Sequence, residues 1–545
     1  MLHPDTLHSN RFFYSLLLIL FLLLLYNLGG WGVVETSEAR YAEISREMWQ
    51  SGQWLHPRLL GIQHFHKPPL TYNITALGMQ LFGPNAFGAR FFLQISLVLQ
   101  VWLVYLIGGL LFRDKRHALT AAIVYLTIPA VLLAARNLTT DSFLTTFELA
   151  AIWAWLKYKT DAKALWLYLF YFLLALAFLT KGPVGLIFPV LVAVGVGGAY
   201  ASVQVKKSVW HHLPAMLLFL VLGGSWYVYL MRQDPQFVDY FLFKHTVQRY
   251  ANPETFGRSK PWWFYLVLAP VLSLPWSAIL FIKKKKLKEL PVPLKRLFIL
   301  WVLVPLVFFS FSGSKLILYI LPLFAGQALL TAWLLFALPE AVMRKIVSGS
   351  IIFLAVLALA LLLAPLLPVG VALPLWVLIF PVLMLGGLFI LWQRPLPSQQ
   401  KLLYSALLFT LLLLPYSTHL MGSNPQFTNG SRPLAQIIKA NHLEQRTIVV
   451  YNRLLPSLPF ELNKDIISVQ DDNDDLNREI QFERDEQWRE QLLQMQQPED
   501  VERLHNLIRQ QPTVMLIKHE LPVERKWILA RYKNQEKWGS WTVYF

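Results

Sequence analysis

The sequence predicts a polytopic α-helical membrane protein with about 13 transmembrane helices and a small α/β domain at its C-terminal end. Three observations predict it. Only 15% of the 545 residues are charged and 55% are hydrophobic, whereas a soluble domain carries about a quarter charged. The mean hydropathy is +0.45. Apolar runs of about twenty residues, enough to cross a hydrocarbon core, recur until residue 421, and the composition turns polar from about Ser423.

The 49 Lys+Arg outnumber the 32 Asp+Glu. In a membrane protein such an excess reports cytoplasmic anchoring and contact with membrane lipids. No basic and aromatic strip of the kind that binds single strands lies outside the spans, so no nucleic acid is expected. The absence of cysteine excludes disulfides, cysteine–zinc sites and thiol catalysis. Aromatic residues make up 14% of the chain, with Trp and Tyr near span ends, as in interfacial belts.

The spans read, in order, 12–34, 88–112, 117–136, 142–159, 164–180, 183–203, 213–232, 261–282, 297–312, 316–337, 346–367, 372–393 and 402–421. The first follows Arg11 and is too long for a signal h-region, so it reads as an uncleaved span. Loop charge sets the topology. With the N-terminus in the cytoplasm, the cytoplasmic loops carry Arg113/Lys115/Arg116, Lys157/Lys159/Lys163, Lys206/Lys207, Lys283–Lys286, Arg344/Lys345 and Arg394/Lys401. All are basic, as the positive-inside rule requires.

The external face then receives residues 35–90, 136–141, 181–183, 232–260 and 311–315, and everything after the last span. The domain organisation follows. Residues 1–422 form a transmembrane domain with external loops 35–87 and 233–260, and residues 423–545 form an external α/β domain. In the first loop, Ala39, Ala42, Met48 and Trp49 opposite Glu43, Arg46 and Glu47 predict a helix lying along the interface, capped by Thr36 or Ser37. Residues 233–258 offer a second such element, with Phe237, Tyr240, Phe241 and Phe243 on its apolar side. In the tail, strands are expected at Thr447–Tyr451, Pro512–Ile517, Trp527–Arg531 and Ser540–Phe545, and a helix over Gln487–Gln510.

Candidate chemistry gathers on the external side. Glu35, Glu38 and Asp141 sit at span ends, and an acid there can take a proton from an acceptor hydroxyl. The plainer readings are an N-cap for Asp141 and complementation of a helix dipole for Glu38. Lys67, Lys181, Arg249, Arg258 and Lys315 come from five separate segments. Cations converging in this way suit a phosphate or pyrophosphate; for Lys181 the alternative is snorkelling. His66 and His245 are candidates to share a divalent ion such as zinc, although they are far apart in the chain. Lys67-Pro68-Pro69 is a stiff, extended segment that holds the lysine head in place. Lys315 and Tyr319, four apart in Ser314-Lys315-Leu316…Tyr319…Pro322, are expected on one helix face.

These residues resemble the membrane glycosyltransferases of the GT-C class, nearest to the lipid A aminoarabinose transferases and the related protein O-mannosyltransferases. The resemblance rests on Glu38-Ala39-Arg40-Tyr41-Ala42-Glu43-Ile44 with Arg46-Glu47-Met48, Lys67-Pro68-Pro69-Leu70, Thr140-Asp141-Ser142 and Leu179-Thr180-Lys181-Gly182-Pro183. His245 with Arg249-Tyr250, and Ser314-Lys315-Leu316 with Tyr319 and Pro322, complete it. Each motif is short; the ordered set across the membrane part is specific. It implies a polyprenyl-phosphate sugar donor, a periplasmic acceptor and inversion at the sugar. It also implies that Lys67, Lys181 and Arg249 bind the lipid phosphate, that Asp141 is the family's acid and Tyr319 its tyrosine. Arg40 falls in the same motif. Two departures stand out. Ser37 replaces the family's aspartate, so Glu35 or Glu38 takes its place or Asp141 acts alone. His66 replaces a glutamate that, with the later histidine, can hold zinc.

The expected function is therefore transfer of an aminoarabinose-like sugar or hexose from undecaprenyl phosphate to lipid A or another periplasmic glycan or protein acceptor. The enzyme would be a monomer in the bacterial inner membrane, with its N-terminus cytoplasmic and its active site and C-terminus periplasmic. The competing reading is a transporter or flippase of lipid-linked sugar. It would need polar groups on both sides of the membrane, whereas the polar loops here are one-sided.

Overall fold

The computed structural model describes residues 10–197, 210–241, 260–366, 370–472 and 476–545. The chain forms two compact units. Unit 1 comprises 1–27, 66–70 and 92–420; unit 2 comprises 28–65, 71–91 and 421–545.

In chain order the first elements are α1 (Asn10–Leu25), α2 (Ser37–Ser51), the antiparallel pair β1 (Arg58–Leu59) and β2 (Ile62–Gln63), and α3 (Leu70–Phe82). Then come α4 (Ala86–Phe112), α5 (Lys115–Leu126), α6 (Pro129–Arg136), α7 (Thr140–Asp161), α8 (Ala164–Lys181), α9 (Ile187–Val196) and α10 (His212–Gln233).

Unit 1 is helical. Among the described residues, seven helices are long and apolar enough to cross a membrane, and two bent helix pairs bring the number to nine. The first span is shorter than the sequence suggests. Helix α1 stops at Leu25 because Asn27 takes a left-handed backbone, φ 48°, which a helix cannot carry onward. The span expected over 316–337 also starts late. Leu316 is extended, Ile317–Ile320 is a single 3-10 turn, and the helix runs over Leu323–Ala337. Pro322 has no N–H to continue an earlier helix, so a new one begins behind it. Lys315 and Tyr319 therefore do not share a helix face.

The two bent pairs are held to each other. Helices α5 and α6 turn by 59°, and Phe264–Val271 turns by 110° into Trp276–Ile282. Backbone groups freed at a break in a membrane need new partners. Here the Ala130 N–H donates to the Leu272 carbonyl at 3.0 Å, and the Trp276 indole N–H donates to the Thr127 hydroxyl at 3.0 Å.

Unit 2 carries a six-stranded sheet, order β5-β4-β3-β6-β8-β7. Its strands are β3 (Thr447–Tyr451), β4 (Ile467–Gln470), β5 (Leu492–Gln494), β6 (Thr513–Ile517), β7 (Gln535–Trp538) and β8 (Trp541–Tyr544). The four strands β5, β4, β3 and β6 are parallel, and β8 and β7 add antiparallel. Parallel strands are buried on both faces. Accordingly Ile448, Val450, Val514 and Leu516 enter one apolar cluster, and Val449, Tyr451, Met515 and Ile517 the other.

The first cluster explains why the units do not divide at 422/423. It contains Ile44 and Met48 of α2 and Leu59, Leu60 and Ile62 of the β1–β2 hairpin, together with Leu434, Ile438 and the sheet. A 15-residue helix and a two-strand hairpin cannot bury their apolar side alone. Nor is α2 an interface helix with a wet polar face, because Glu38, Glu43 and Arg46 are all buried. Arg46 donates to Glu43 at 2.7 Å and to Asp465 at 2.8 Å. Thr36 makes no side-chain cap. In the tail, 527–529 closes the 3-10 helix Val523–Leu529 and 530–531 form a turn, rather than a strand. The helix expected from Gln487 starts only at Pro498, because Leu492–Gln494 pairs with β4 as β5.

Candidate active site

The site is built at the ends of two helices in unit 1. Thr139 caps α7, with its hydroxyl accepting from the Asp141 N–H at 3.4 Å and donating to Asp141 Oδ2 at 3.2 Å. A carboxylate in the first turn of a helix also meets the positive end of its dipole. Lys181 is the last residue of α8, and Gly182 ends that helix at φ 77°. A side chain at 182 would lie 3.3 Å from the Tyr227 hydroxyl and 3.4 Å from Phe241, so glycine suits both the backbone and the space.

These two helix ends bring the charges together. Lys181 Nζ donates to Asp141 Oδ1, and both side chains are more than nine-tenths buried. The same ammonium lies 4.1 Å from the centre of the Tyr319 ring, within range of a cation–π contact. Lys181 has three N–H donors, and one of them holds Asp141. The structure thus joins Asp141, Lys181 and Tyr319, three candidates from three separate segments.

Lys315 is occupied differently. Its ammonium donates to the Lys260 carbonyl at 2.8 Å and the Ser312 carbonyl at 2.5 Å, tying the 312–316 loop to the start of the preceding span. The Tyr265 hydroxyl fastens the same loop through the Leu316 carbonyl at 2.7 Å. Lys67 and His66 belong to this unit and are half-buried. The His66 ring lies 6.2 Å from that of Tyr240, whose neighbours Phe237 and Phe241 join an aromatic cluster with Trp226. No group of three or more His, Asp or Glu able to hold a metal occurs among the described residues. His245, Arg249 and Arg258 lie outside the described residues, as does Phe243.

The remaining candidates belong to unit 2, where they are bound into the fold. Glu38 forms a two-pronged ion pair with Arg90, at 2.7 and 2.6 Å, and also accepts from the Val34 N–H at 2.8 Å. Arg90 spends its other donors on the Leu28 and Gly32 carbonyls and stacks on Trp31. Both side chains are inaccessible. Glu35 accepts from the Ser457 N–H at 2.8 Å, and burial pushes its carboxyl up to about 7 against the pull of that bond and of the Arg40 and Lys518 charges. Arg40 thus acts on Glu35 within unit 2.

One acid in unit 1 escaped the sequence reading. Glu148 is fully buried in α7, and neither carboxylate oxygen has a hydrogen-bond partner among the described residues. It follows Asp141 by seven positions, two turns along the same face of the helix. The available signal was an acid inside an otherwise apolar span, which is rare without a task. A polar layer of Gln100, Ser96, Ser142 and Thr146 links α4 to the same helix, with bonds of 2.5–3.1 Å.

Comparison with solved structures settles the fold. The crystal structure of ArnT from Cupriavidus metallidurans bound to undecaprenyl phosphate superposes with a TM-score of 0.77, covering 98% of both chains at 23% identity. Its apo form gives 0.78 at 22% identity. The fold is that of ArnT. The family described as dolichyl-phosphate-mannose-protein mannosyltransferase matches residues 66–229, which include Lys67, Asp141, Glu148 and Lys181. Among curated proteins, the undecaprenyl phosphate-alpha-4-amino-4-deoxy-L-arabinose arabinosyl transferase of Pectobacterium atrosepticum is 33% identical over 366 residues, 64% of this chain and 65% of that protein. A namesake from Proteus mirabilis is 34% identical over 327 residues, 58% of each. The matched stretch thus spans about six tenths of these relatives' own length.

Proposed function

We propose that this chain is an inverting, polyprenyl-phosphate-dependent glycosyltransferase. It moves a sugar of the aminoarabinose type from undecaprenyl phosphate to lipid A or another periplasmic acceptor. The observation that carries the reading is the buried Asp141–Lys181 pair beside Tyr319, in a stretch matched by a family of lipid-phosphate-dependent sugar transferases.

The chemistry follows from the groups. An acceptor oxygen attacks the anomeric carbon from the face opposite the phosphate, and the carbon–oxygen bond to the phosphate breaks. The departing polyprenyl phosphate gains negative charge. Lys181, with donors to spare, stabilises it as it leaves, and Lys67 and Arg249 assist. If the acceptor is a hydroxyl, its proton passes to Asp141. If it is a lipid A phosphate, the oxygen is already anionic and Asp141 orients rather than deprotonates. Because Glu38 is saturated by Arg90, the acid is assigned to Asp141. His245, the residue expected to share a metal with His66, lies outside the described residues.

This reading takes thirteen crossings: the seven long helices, the two bent pairs, the short helices Asn10–Leu25 and Leu323–Ala337, α7, and a division of Ala164–Val196 at Gly182. Asp141 and Lys181 then lie at the periplasmic ends of α7 and α8, while the basic turns at 113–116 and 157–163 lie at the cytoplasmic ends.

The test is product formation by the purified chain given undecaprenyl-phosphate-linked sugar and lipid A in detergent. A carrier yields no product. Turnover is expected in the wild type and is expected to be lost in Lys67→Ala and Asp141→Asn, both folded. Wild-type turnover in both variants would overturn the assignment. Mass spectrometry of lipid A from cells with and without the protein identifies sugar and acceptor.

A further inference from the structure

At the opposite end of α7 from Asp141, unit 1 contains a cavity. It measures about 480 Å³ and lies where the α4–α5 turn meets α7, within the size range of specific ligand sites. Its floor is apolar, formed by Leu106, Gly109 and Leu110 of α4, and its rim carries Arg113, Lys115 and Lys157. Gly109 adds to the hollow, since a Cβ there would meet open space.

The charges on the rim are unequal in their engagements. The acid that shares the rim, Asp114, is committed: it accepts from the Arg116 N–H at 2.9 Å and pairs with His117 Nδ1 at 2.7 Å. Lys157 pairs with Asp161 at 2.6 Å. The side chains of Arg113 and Lys115 have no hydrogen-bond or ionic partner among the described residues. Arg113 moreover sits just past the end of α4 at φ 53°, a left-handed position that favours glycine. An arginine there places its guanidinium at the mouth of the cavity, against the local backbone preference.

We propose that this cavity is a binding site for an anionic glycerophospholipid, separate from the site at Asp141 and Lys181. The phosphate meets the fork of Arg113 and the ammonium of Lys115, and an acyl chain lies along Leu106, Gly109 and Leu110. Basic pockets at the membrane boundary recognise lipid headgroups in this way. The site has no part in the sugar-transfer chemistry.

Native mass spectrometry of the full chain in detergent tests it, with phosphatidylglycerol compared against phosphatidylcholine of the same acyl chains. The wild type is expected to retain phosphatidylglycerol about tenfold more tightly. Arg113→Gly combined with Lys115→Ala is expected to abolish that preference and leave phosphatidylcholine unchanged; the glycine suits the left-handed backbone, so the fold is retained. Gly109→Leu, which fills the floor, provides a second variant and is expected to weaken phosphatidylglycerol about tenfold. Equal retention of both lipids by the wild type, or an undiminished preference in the double variant, overturns the proposal. Displacement of phosphatidylglycerol by an equal concentration of glycerol phosphate also overturns it, because the site would then bind soluble phosphate.

Discussion

Unit 1 contains the buried pair Asp141–Lys181 and unit 2 the buried pair Glu38–Arg90, and the two are put together differently. In unit 2, Glu38 and Arg90 saturate each other: two bonds between them, a backbone N–H on the acid, two carbonyls and an indole on the base. In unit 1, Asp141 has Lys181 and the Thr139 hydroxyl, and Lys181 has Asp141 and the face of Tyr319. The lysine keeps donors available. A buried pair with no spare capacity organises the chain around it, whereas a pair with spare capacity can receive a charged ligand. Degree of saturation, rather than burial or residue type, separates the structural pair from the candidate catalytic one.

The contrast breaks most visibly under substitution. Glu38→Gln leaves Arg90 buried without its counter-charge, which is expected to destabilise unit 2 by about 3–5 kcal/mol. The protein should express poorly or melt well below the wild type in a thermal-shift assay. Asp141→Asn likewise leaves Lys181 buried without its counter-charge, so a lower melting temperature is expected there too, but transfer should fall by about 10²–10⁴-fold, further than the loss of folded protein accounts for. Equal transfer per folded molecule in the two variants would erase the distinction drawn between the pairs.

Glu148 sharpens the same comparison at smaller scale. It is an acid whose carboxylate has no hydrogen-bond partner among the described residues, in the helix that carries Asp141. An unpartnered buried polar group costs about 1–3 kcal/mol. Glu148→Met, of similar length, is therefore expected to raise the melting temperature by a few degrees. If transfer falls at the same time, Glu148 serves the reaction at the expense of stability. Lower stability in Glu148→Met would mean that the carboxyl has an unseen partner and is structural.

Much of this is legible in the chain. The long apolar runs announce the helices, and the short continuous apolar runs in Thr447–Tyr451 and Thr513–Ile517 announce strands buried on both faces, which the sheet then pairs. Asp141 and Lys181 stand out because charges at the ends of apolar spans are scarce. What the sequence does not show is who pairs with whom. Glu38 and Asp141 look alike as acids near motif residues, and only the fold reveals that Arg90, fifty-two positions on, consumes the first. Lys315 looks like a phosphate ligand until its ammonium is found on two carbonyls. The hairpin β1–β2 and strand β5 are too short for periodicity to reveal. The 35–65 loop joins the C-terminal part through contacts some four hundred residues apart, beyond any local pattern.

The smallest effect concerns acids of unit 2 that lie outside the membrane-spanning part. Burial pushes Glu35 up to about 7. Burial and the neighbouring Glu43 push Glu47 up to about 8, against Arg46 and the N–H groups of Leu60 and Gly61. Both start from 4.5 when unfolded. A raised pKa in the folded state means that folding binds protons. Their contribution is fully present below 4.5 and is lost as pH rises through 7 and 8. Unit 2 is thus expected to lose about 1–3 kcal/mol between pH 5 and pH 9, read as a falling melting temperature. Glu47→Gln, which keeps an acceptor for Leu60 and Gly61 without a charge, should flatten part of that slope. The Asp141–Lys181 pair gives a control: Asp141→Asn should leave the slope as it is, since the slope arises in unit 2. A melting temperature that rises over this range would mean that these carboxyls are held ionised at neutral pH and act as counter-charges for Arg46 and Arg40.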